Sequence, residues 1–371
     1  MDLCNFQEIR ALLGRHGFHF SKSMGQNFLI QDWVPRDIAE ASGAAPGTGV
    51  LEIGPGIGPL TRQLCARADK VVSVELDKAL LPVLAETMAD AENFTLIPGD
   101  ILKTDIPALV DQQFPGLTPL VCANLPYNIT TPVLTALVEA RRFAAITVMI
   151  QREVALRIAA APGTGDYGAF SLYMQYHTEP EVLFDVPPSC FYPAPKVTSA
   201  VLHCTVRTAP PVSPACGEEF LFRVIRAGFA QRRKTLVNSL SSVFGSQLDK
   251  EAITSAITAC NLDSTIRGER LGLPEFAALA DQLYALLEKK QKMHEIPPCA
   301  MKRHRAVFLT FLLHCPLSGH SHGGQDGMPP PLPTARSARQ RALSASPGAH
   351  PFAPPAKGLS APRQQQSQYR Q

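Results

Sequence analysis

Short apolar runs, each ending in a polar or glycine-containing turn, recur through the first 150 residues of the chain. Runs without alternating polar positions are typical of strands that are buried on both faces of a parallel sheet. A helix is predicted to begin near Pro59, so strand and helix alternate as in a βαβ unit. The pattern therefore predicts an open α/β sheet. Its predicted strands are residues 49–53, 70–74, 94–98, 119–123 and 144–150.

The elements on either side of these runs are less regular. A short amphipathic helix is predicted within residues 5–20, and another follows residue 151. Two further strands are predicted within residues 180–206. Residues 208–217 are rich in Pro, Ser, Ala and Gly, which is typical of a linker.

Beyond this linker the hydrophobic spacing is helical only. Apolar side chains recur every three or four residues, as on one face of a helix. Residues 249–259 and 274–288 fit two such helices, and Pro274 suits the start of the second. Two earlier stripes share the same spacing: Phe220, Val224, Ile225 and Phe229, then Leu236, Leu240 and Val243. The spacing predicts a small helical domain over residues 208–290, after an α/β domain over residues 1–207.

The composition changes once more near residue 291. The 81 residues 291–371 contain twelve of the 33 prolines, ten Lys or Arg and only two Asp or Glu, a net charge of +8. Such a sequence cannot bury enough apolar surface to fold, so a disordered basic tail is predicted. Since the whole chain carries only +3, residues 1–290 carry −5, and any basic surface on the folded part must be local.

Cysteine usage and the N-terminus indicate the compartment. None of the nine cysteines has C-x-x-C spacing, and Cys122 and Cys204 lie inside predicted strands, where buried reduced thiols are expected. We therefore expect a reducing, cytoplasmic environment. No signal peptide is predicted, and no apolar run is long enough to span a bilayer.

The turn after the first strand suggests a cofactor site. It contains Gly54, Gly56 and Gly58, whereas a dinucleotide-binding turn has the spacing G-x-G-x-x-G. The early third glycine, and the long segment before the first strand, favour S-adenosylmethionine over a nicotinamide dinucleotide. A glycine-rich turn without a ligand is the alternative. Glu75 follows the second strand, where a carboxylate can accept hydrogen bonds from both hydroxyls of a ribose.

The next two strands also end in side chains suited to a nucleotide. The Asp100 carboxylate can accept a hydrogen bond from an adenine amino group, although an aspartate that caps a turn has the same pattern. The fourth strand leads into Asn124-Leu125-Pro126-Tyr127. The Asn124 amide and the backbone carbonyl before a proline can accept hydrogen bonds from an exocyclic amine, and the Tyr127 ring can stack on its base. Ligands bind at the carboxyl ends of strands in open α/β sheets, so these residues are predicted to form one site.

Two basic segments are candidates for RNA contact. Residues 21–29 carry Lys22 and form either a connecting loop or a segment that folds over a ligand. Five cations lie within twelve residues of the helical region, with no acidic residue among them: Arg223, Arg226, Arg232, Arg233 and Lys234. A phosphate-binding surface and a solvated helix face fit this second cluster about equally well.

Taken in order, these motifs resemble the KsgA/RsmA-type small-subunit (16S) rRNA adenine dimethyltransferases over about residues 5–290. The matching segments are Gly25-Gln26-Asn27-Phe28-Leu29, Glu52-Ile53-Gly54-Pro55-Gly56, Val74-Glu75-Leu76-Asp77, Gly99-Asp100, Asn124-Leu125-Pro126-Tyr127, Pro187-Pro188 with Phe191, Pro195-Lys196-Val197 with Ser199-Ala200-Val201, and Phe229 with Gln231-Arg232-Arg233-Lys234-Thr235. The tail departs from the family, whose members usually end soon after the last helix.

The resemblance implies an S-adenosylmethionine-dependent enzyme without a metal. A Rossmann-like catalytic domain with an N-terminal lid segment would span residues 1–207, and a helical RNA-binding domain would span residues 208–290. The family places six residues around the cofactor: Asn27 and Leu29 in the lid, Gly54 at the methionine part, Glu75 at the ribose, Asp100 at the adenine, and Asn124 between cofactor and target amine.

The implied reaction is methyl transfer to N6 of two adjacent adenosines in a 3′-end hairpin loop of small-subunit rRNA. The candidates for holding the target base are Asn124, Pro126, Tyr127 and Phe191. Lys22 and the five cations of the helical region would contact RNA. The expected partner is rRNA within an immature 30S particle; the enzyme is expected to be a monomer and to need no membrane.

Three other functions are considered. A large-subunit adenine methyltransferase of the macrolide-resistance type would use the same scaffold, but the 187–201 and 229–235 motifs argue against it. A ribosome-assembly factor, for which methylation is secondary, would bind the same immature particle. A nicotinamide-dependent oxidoreductase is disfavoured by the glycine spacing.

Overall fold

The computed structural model describes residues 1–18 and 26–295, with side chains described as far as residue 292. Lys22 and most of the predicted tail lie outside the described residues. Twelve α-helices and nine strands follow one another in the described part. In chain order they are α1 Phe6–Arg15, β1 Phe28–Leu29, α2 Trp33–Ala41, β2 Thr48–Ile53, α3 Pro59–Cys65, β3 Lys70–Glu75, α4 Leu81–Thr87, β4 Phe94–Pro98, α5 Ile106–Gln113, β5 Thr118–Asn124, α6 Thr130–Glu139, β6 Ala145–Gln151, α7 Arg152–Ala159, α8 Ala169–His177, β7 Thr178–Val186, β8 Phe191–Tyr192, β9 Ser199–Val206, α9 Glu218–Phe229, α10 Leu236–Phe244, α11 Lys250–Ala259 and α12 Leu273–Glu295.

A seven-stranded sheet in the order β4-β3-β2-β5-β6-β9-β7 forms the centre of the α/β part. Neighbouring strands from β4 to β6 are parallel, and β9 runs antiparallel to both β6 and β7. Residues 49–53 of β2 and 120–123 of β5 are buried without alternation, as parallel strands covered on both faces should be. The predicted α/β fold class and all five predicted parallel strands are confirmed. The burial predicted for Cys122 and Cys204 is confirmed as well.

The strand order reverses between β2 and β5. The chain adds β3 and β4 on one side of β2 and then crosses to place β5 on the other side. In open α/β sheets this reversal leaves a crevice beyond the carboxyl ends of the two central strands. The fold therefore places the turn after β2 next to the turn after β5.

A separate two-stranded antiparallel sheet joins β1 to β8, which the hydrophobic pattern did not predict. Phe28 pairs with Tyr192 and Leu29 with Phe191. The Ile30 N–H donates to the Cys190 carbonyl at 2.8 Å and continues the pairing by one residue. The N-terminal segment and the segment that carries Phe191 are thus directly connected.

The C-terminal helices form their own hydrophobic core, which also includes α8. Leu172 and Tyr176 of α8 are buried together with residues of α9, α10, α11 and α12. The fully buried Tyr167, just before α8, donates its hydroxyl to the Leu271 carbonyl at 2.9 Å. The predicted helices are therefore present, while the boundary at residues 207/208 stays a prediction. Within the described ranges, no helix combines the length and apolar character needed to cross a bilayer.

Candidate functional site

One cavity lies at the carboxyl ends of the central strands. All nine residues predicted to bind the cofactor or the target base line it: Asn27, Leu29, Gly54, Glu75, Asp100, Asn124, Pro126, Tyr127 and Phe191. Its apolar wall includes Ile53, Ile57, Leu76 and Ile101. Segments spread over some 165 residues of sequence thus meet at one place.

The turn between β2 and α3 forms one side of this cavity. Gly54 and Gly56 both have left-handed backbone conformations, with φ of 67° and 64°, which residues with a β-carbon rarely adopt. The Gly54 N–H donates to the Val74 carbonyl at 3.0 Å and fixes the turn against β3. Gly54 and Gly56 therefore allow the backbone to curve around a ligand.

Glu75 ends β3 and is almost completely buried, at 6% exposure. Its carboxylate accepts hydrogen bonds from the N–H of Asp77 at 2.8 Å and the N–H of Gly56 at 3.4 Å. Burial raises the pKa of Glu75, and these two donors oppose the rise. Glu75 thus lies at the strand end where the sequence placed it, and its role in accepting ribose hydroxyls stays a prediction.

The N-terminal segment is attached to this same strand end. The side-chain amide of Gln26 donates to an Asp77 carboxylate oxygen at 2.6 Å. Asn27 and Leu29 follow at once and line the cavity, so this contact and the β1–β8 pairing fix them at both ends. Residues 26–29 therefore form part of the cavity wall, while the predicted covering role of the 21–29 segment stays a prediction.

Asp100 caps a turn and also lines the cavity, while its role in binding adenine stays a prediction. One carboxylate oxygen accepts from the Leu102 N–H at 3.1 Å and caps the short turn that follows. The other lies 3.7 Å from Lys103 Nζ. The half-buried side chain also lines the cavity beside the apolar Ile101, which suits an adenine ring and its amino group.

The Asn124-Leu125-Pro126-Tyr127 turn presents acceptors to the cavity. The Leu125 N–H donates to the Met149 carbonyl at 3.1 Å and anchors the turn to β6. The Pro126 carbonyl already accepts from the Ile129 N–H at 3.2 Å and the Thr130 hydroxyl at 3.3 Å. Within residues 1–18 and 26–295, neither the Leu125 carbonyl nor the Asn124 side chain is hydrogen bonded to another residue. Of the two carbonyls, Leu125 is thus the better acceptor for a ligand amine.

Two aromatic side chains complete this part of the cavity. The Tyr127 hydroxyl lies 2.8 Å from Ser199 Oγ, and burial raises the pKa of Tyr127. Phe191 is 3% exposed and packs in the core beside Leu29. Both rings are thus held in place by the fold, as stacking on a base requires.

Glu52 precedes the glycine turn within a quoted motif, and the sequence assigned it no role. The residue lines the cavity, and its fully buried carboxyl group accepts hydrogen bonds from Thr61 of α3 at 2.7 Å and Ser73 of β3 at 2.6 Å. Burial raises the pKa of Glu52 to about 7, the two hydroxyls oppose the rise, and the nearby Glu75 adds to it. An acidic residue inside an otherwise apolar strand was the available signal.

The five predicted RNA-binding cations of the helical region do not line the cavity, and they differ from one another. Arg232 donates to the carbonyls of Gly165 at 2.8 Å and Tyr167 at 3.0 Å. The Arg223 guanidinium lies over the Phe244 ring, 4.8 Å from its centre. Three exposed side chains make no hydrogen bond or ion pair with any residue that the structure describes: Arg226, Arg233 and Lys234. These three side chains are therefore better placed than Arg223 and Arg232 to contact the phosphates of an RNA.

The lining of the cavity suits a nucleoside-bearing cofactor and a planar amine. Carboxylates at two strand ends can accept hydrogen bonds from hydroxyl and amino groups, the apolar wall suits a purine, and the Asn124 turn offers further acceptors. Among the described residues, no group of three or more His, Cys, Asp or Glu side chains is arranged to hold a metal ion.

Comparison with protein families agrees with this geometry. Residues 17–270 match the family model described as ribosomal RNA adenine dimethylase. The chain is 45% identical over 288 residues to the ribosomal RNA small subunit methyltransferase A of Geobacillus thermodenitrificans (strain NG80-2), covering 77% of this chain and 98% of that protein. It is 46% identical over 290 residues to the protein of the same name from Shouchella clausii (strain KSM-K16), covering 78% and 98%.

Two solved structures share the fold. A dimethyladenosine transferase from Plasmodium falciparum has a TM-score of 0.58 at 22% identity and covers 68% of this chain and 95% of its own. The 23S rRNA methyltransferase ErmE has a TM-score of 0.54 at 26% identity and covers 69% of this chain and 99% of its own.

Proposed function

Because this chain belongs to the ribosomal RNA adenine dimethylase family, we propose that it dimethylates N6 of adenosines in small-subunit rRNA with S-adenosylmethionine as methyl donor. The finer form of the proposal is that two adjacent adenosines in a 3′-end hairpin loop of the 16S rRNA are the targets. The observation that carries the proposal is the convergence of nine predicted residues on one cavity.

When bound, S-adenosylmethionine supplies an electrophilic methyl group; the residues of the cavity bind and orient. Glu75 accepts hydrogen bonds from the ribose hydroxyls, and Asp100 accepts one from the adenine amino group. The turn at Gly54 lets the protein backbone come close to the methionine part of the cofactor. Asn27 and Leu29 cover the cofactor from the N-terminal side and exclude water.

The target amine is held by the turn after β5. The lone pair of the adenine N6 is delocalised into the ring, so the amine is a poor nucleophile. Hydrogen bonds from N6–H to the Asn124 side-chain oxygen and the Leu125 carbonyl favour a more pyramidal nitrogen with a more available lone pair. Positioning then supplies much of the rate, and the proton of the aminium product leaves to water without a strong general base.

The target base must leave its stack to reach this turn. Tyr127 and Phe191 hold the extruded base by stacking, while the Pro126 carbonyl stabilises the turn itself through Ile129 and Thr130. This assigns Pro126 a positioning role and Leu125 the direct contact. The exposed cations Arg226, Arg233 and Lys234 hold the RNA backbone, with Lys22 as a further candidate.

The choice of the small subunit rests on degree of similarity. The small-subunit relatives are 45–46% identical across 98% of their length, against 26% for the 23S enzyme of similar fold. We further propose that the substrate is an immature 30S particle, that the enzyme acts as a monomer, and that it works in the cytoplasm, where small subunits are assembled.

The test is methyl transfer from labelled S-adenosylmethionine to three particles: small subunits from cells lacking the adenine dimethylation, mature small subunits, and large subunits. Label recovered as dimethyladenosine from the undermethylated small subunits alone is the expected result. Label on the large subunit would place the chain with the 23S enzymes instead. Tight binding to the undermethylated small subunits without label would make it an assembly factor.

A further inference from the structure

Ser199 is the partner of an aromatic residue in the cavity, although it lies 72 positions further along the chain. Its Oγ is 2.8 Å from the Tyr127 hydroxyl, and either oxygen can be the donor. Ser199 is completely buried, while Tyr127 is partly exposed at the cavity wall. No other side chain of the described residues hydrogen-bonds the Tyr127 hydroxyl.

The two partners differ in how firmly the backbone holds them. Tyr127 begins a three-residue turn between β5 and α6. Ser199 begins β9 and is paired with Gln151 on one side and Val186 on the other, so the sheet fixes its position. The preceding Thr198 carbonyl also accepts from the Arg152 N–H at 3.0 Å. A side chain on a short turn is thus tied to one on a strand that is paired on both sides.

This contact fixes the position of the Tyr127 ring. The phenolic oxygen lies on the axis about which the ring rotates, so the hydrogen bond restrains the first side-chain torsion, which sets where the ring lies. The Ser199 hydroxyl is buried, and a buried hydroxyl without a partner is costly, so the observed position of the ring is favoured. Stacking on a base depends on where the ring lies, and precise placement is best achieved by a supporting hydrogen bond to a rigid element.

We propose that Ser199 is a positioning residue for methyl transfer, whose hydroxyl holds the Tyr127 ring against the target adenine. The proposal rests on the proposed function and deepens it at the same site. Loss of this contact should therefore affect the second methyl transfer more than the first. A loosely held base that carries one methyl group escapes more often before it is methylated again, so the product shifts from dimethyl- to monomethyladenosine.

The variants for the test are Ser199→Ala, Tyr127→Phe and the double variant, with Ser199→Thr as the version that keeps the hydroxyl. Ser171→Ala is the matched control, because Ser171 is an equally buried serine whose hydroxyl donates to the Arg157 carbonyl and which does not line the cavity. For each variant we would measure kcat and KM on undermethylated small subunits, the mono- to dimethyladenosine ratio, the Kd for S-adenosylmethionine and the Tm.

Ser199→Ala and Tyr127→Phe should each lower kcat about tenfold, the value of one hydrogen bond, and raise the monomethyl share. The double variant should be no worse than either single variant, since both remove one contact. Ser199→Thr should restore the product ratio, and the Kd for S-adenosylmethionine should change less than twofold. The Ser171→Ala control should lower Tm and leave the product ratio unchanged.

An unaltered product ratio and kcat in Ser199→Ala, beside an active wild type, would overturn the proposal and reduce Ser199 to a structural residue. A loss of kcat in the double variant equal to the product of the two single losses would overturn the proposal as well. A wild-type chain that is inert on both small and large subunits would instead overturn the proposed function, and the Ser199 proposal with it, so the two failures are distinguishable.

Discussion

The hydroxyl of Ser73 donates a hydrogen bond to the buried carboxyl group of Glu52 at 2.6 Å. This contact joins β3 to β2 just below the glycine turn, and Thr61 ties α3 to the same oxygen. The carboxyl group therefore connects three elements that together support Gly54. Its environment also makes the stability of the fold depend on pH.

We predict that the tendency of Glu52 to ionise lowers the free energy of unfolding as the pH rises from about 4.5 to about 7. Burial raises the pKa of Glu52 from its ordinary 4.5 to about 7. Between these values the unfolded chain releases the proton while the folded chain retains it, so ionisation favours unfolding. Above pH 7 the effect levels off at about 3 kcal/mol. Denaturant titrations at pH 5, 6, 7 and 8 measure it.

The matched pair of variants for this prediction is Glu52→Gln and Glu40→Gln. Glutamine keeps an acceptor for Ser73 and Thr61 but does not ionise, so Glu52→Gln should lose less stability with rising pH than the wild type. Glu40 is exposed, and its replacement should leave the wild-type slope unchanged. Identical slopes for Glu52→Gln and the wild type would contradict the assignment.

Asn124→Ala should reduce kcat for methyl transfer by about 100- to 1,000-fold, the usual cost of a hydrogen bond made at the reacting centre. Its stability should stay within about 0.5 kcal/mol of the wild type, because the side chain is hydrogen bonded to none of the described residues. Single-turnover methylation and thermal unfolding check both parts. Near-normal kcat would remove Asn124 from the mechanism.

Gln26→Ala should weaken S-adenosylmethionine binding about three- to tenfold, since it removes the 2.6 Å hydrogen bond to Asp77 that holds the covering segment. Titration calorimetry measures the Kd directly. Gln112→Ala, at an exposed position on α5, is the control and should bind like the wild type. An unchanged Kd in Gln26→Ala would mean that the segment closes without this contact.

The basic cluster should separate into structural and RNA-binding residues. Arg232→Ala should lose about 1–2 kcal/mol of stability, because the carbonyls of Gly165 and Tyr167 lose their hydrogen-bond donor. Arg233→Ala and Lys234→Ala should keep the wild-type stability. Each lost phosphate contact should make the slope of log K for RNA binding against log salt concentration shallower by about 0.7–0.9. RNA binding measured between 50 and 200 mM salt tests this; an unchanged slope in both exposed variants would refute their role.

Much of this fold followed from the hydrophobic pattern. Buried parallel strands such as 49–53 and 119–123 are apolar apart from Glu52, and Pro59 marks the start of α3. The polar residues at their carboxyl ends then had to meet at one edge of the sheet, which predicted that Glu75, Asp100 and Asn124 share a cavity.

Other features depend on contacts between distant segments, which a local pattern does not encode. The pairing of Leu29 with Phe191 joins strands of two residues each, too short to give a periodic signal. The bond between Tyr127 and Ser199 depends on β9 entering the sheet beside β6. Likewise, charge alone did not distinguish Arg232, bound to two carbonyls, from its exposed neighbour Arg233.

The most direct test of the central claim is nucleoside analysis of rRNA from bacteria that lack their own small-subunit adenine dimethylation and express this chain. We predict dimethyladenosine in the 16S rRNA of cells with the wild-type chain, at two adjacent positions near the 3′ end, and none with Asn124→Ala expressed at the same level. Dimethyladenosine confined to the 23S rRNA, or its absence from the wild-type cells, would contradict the account.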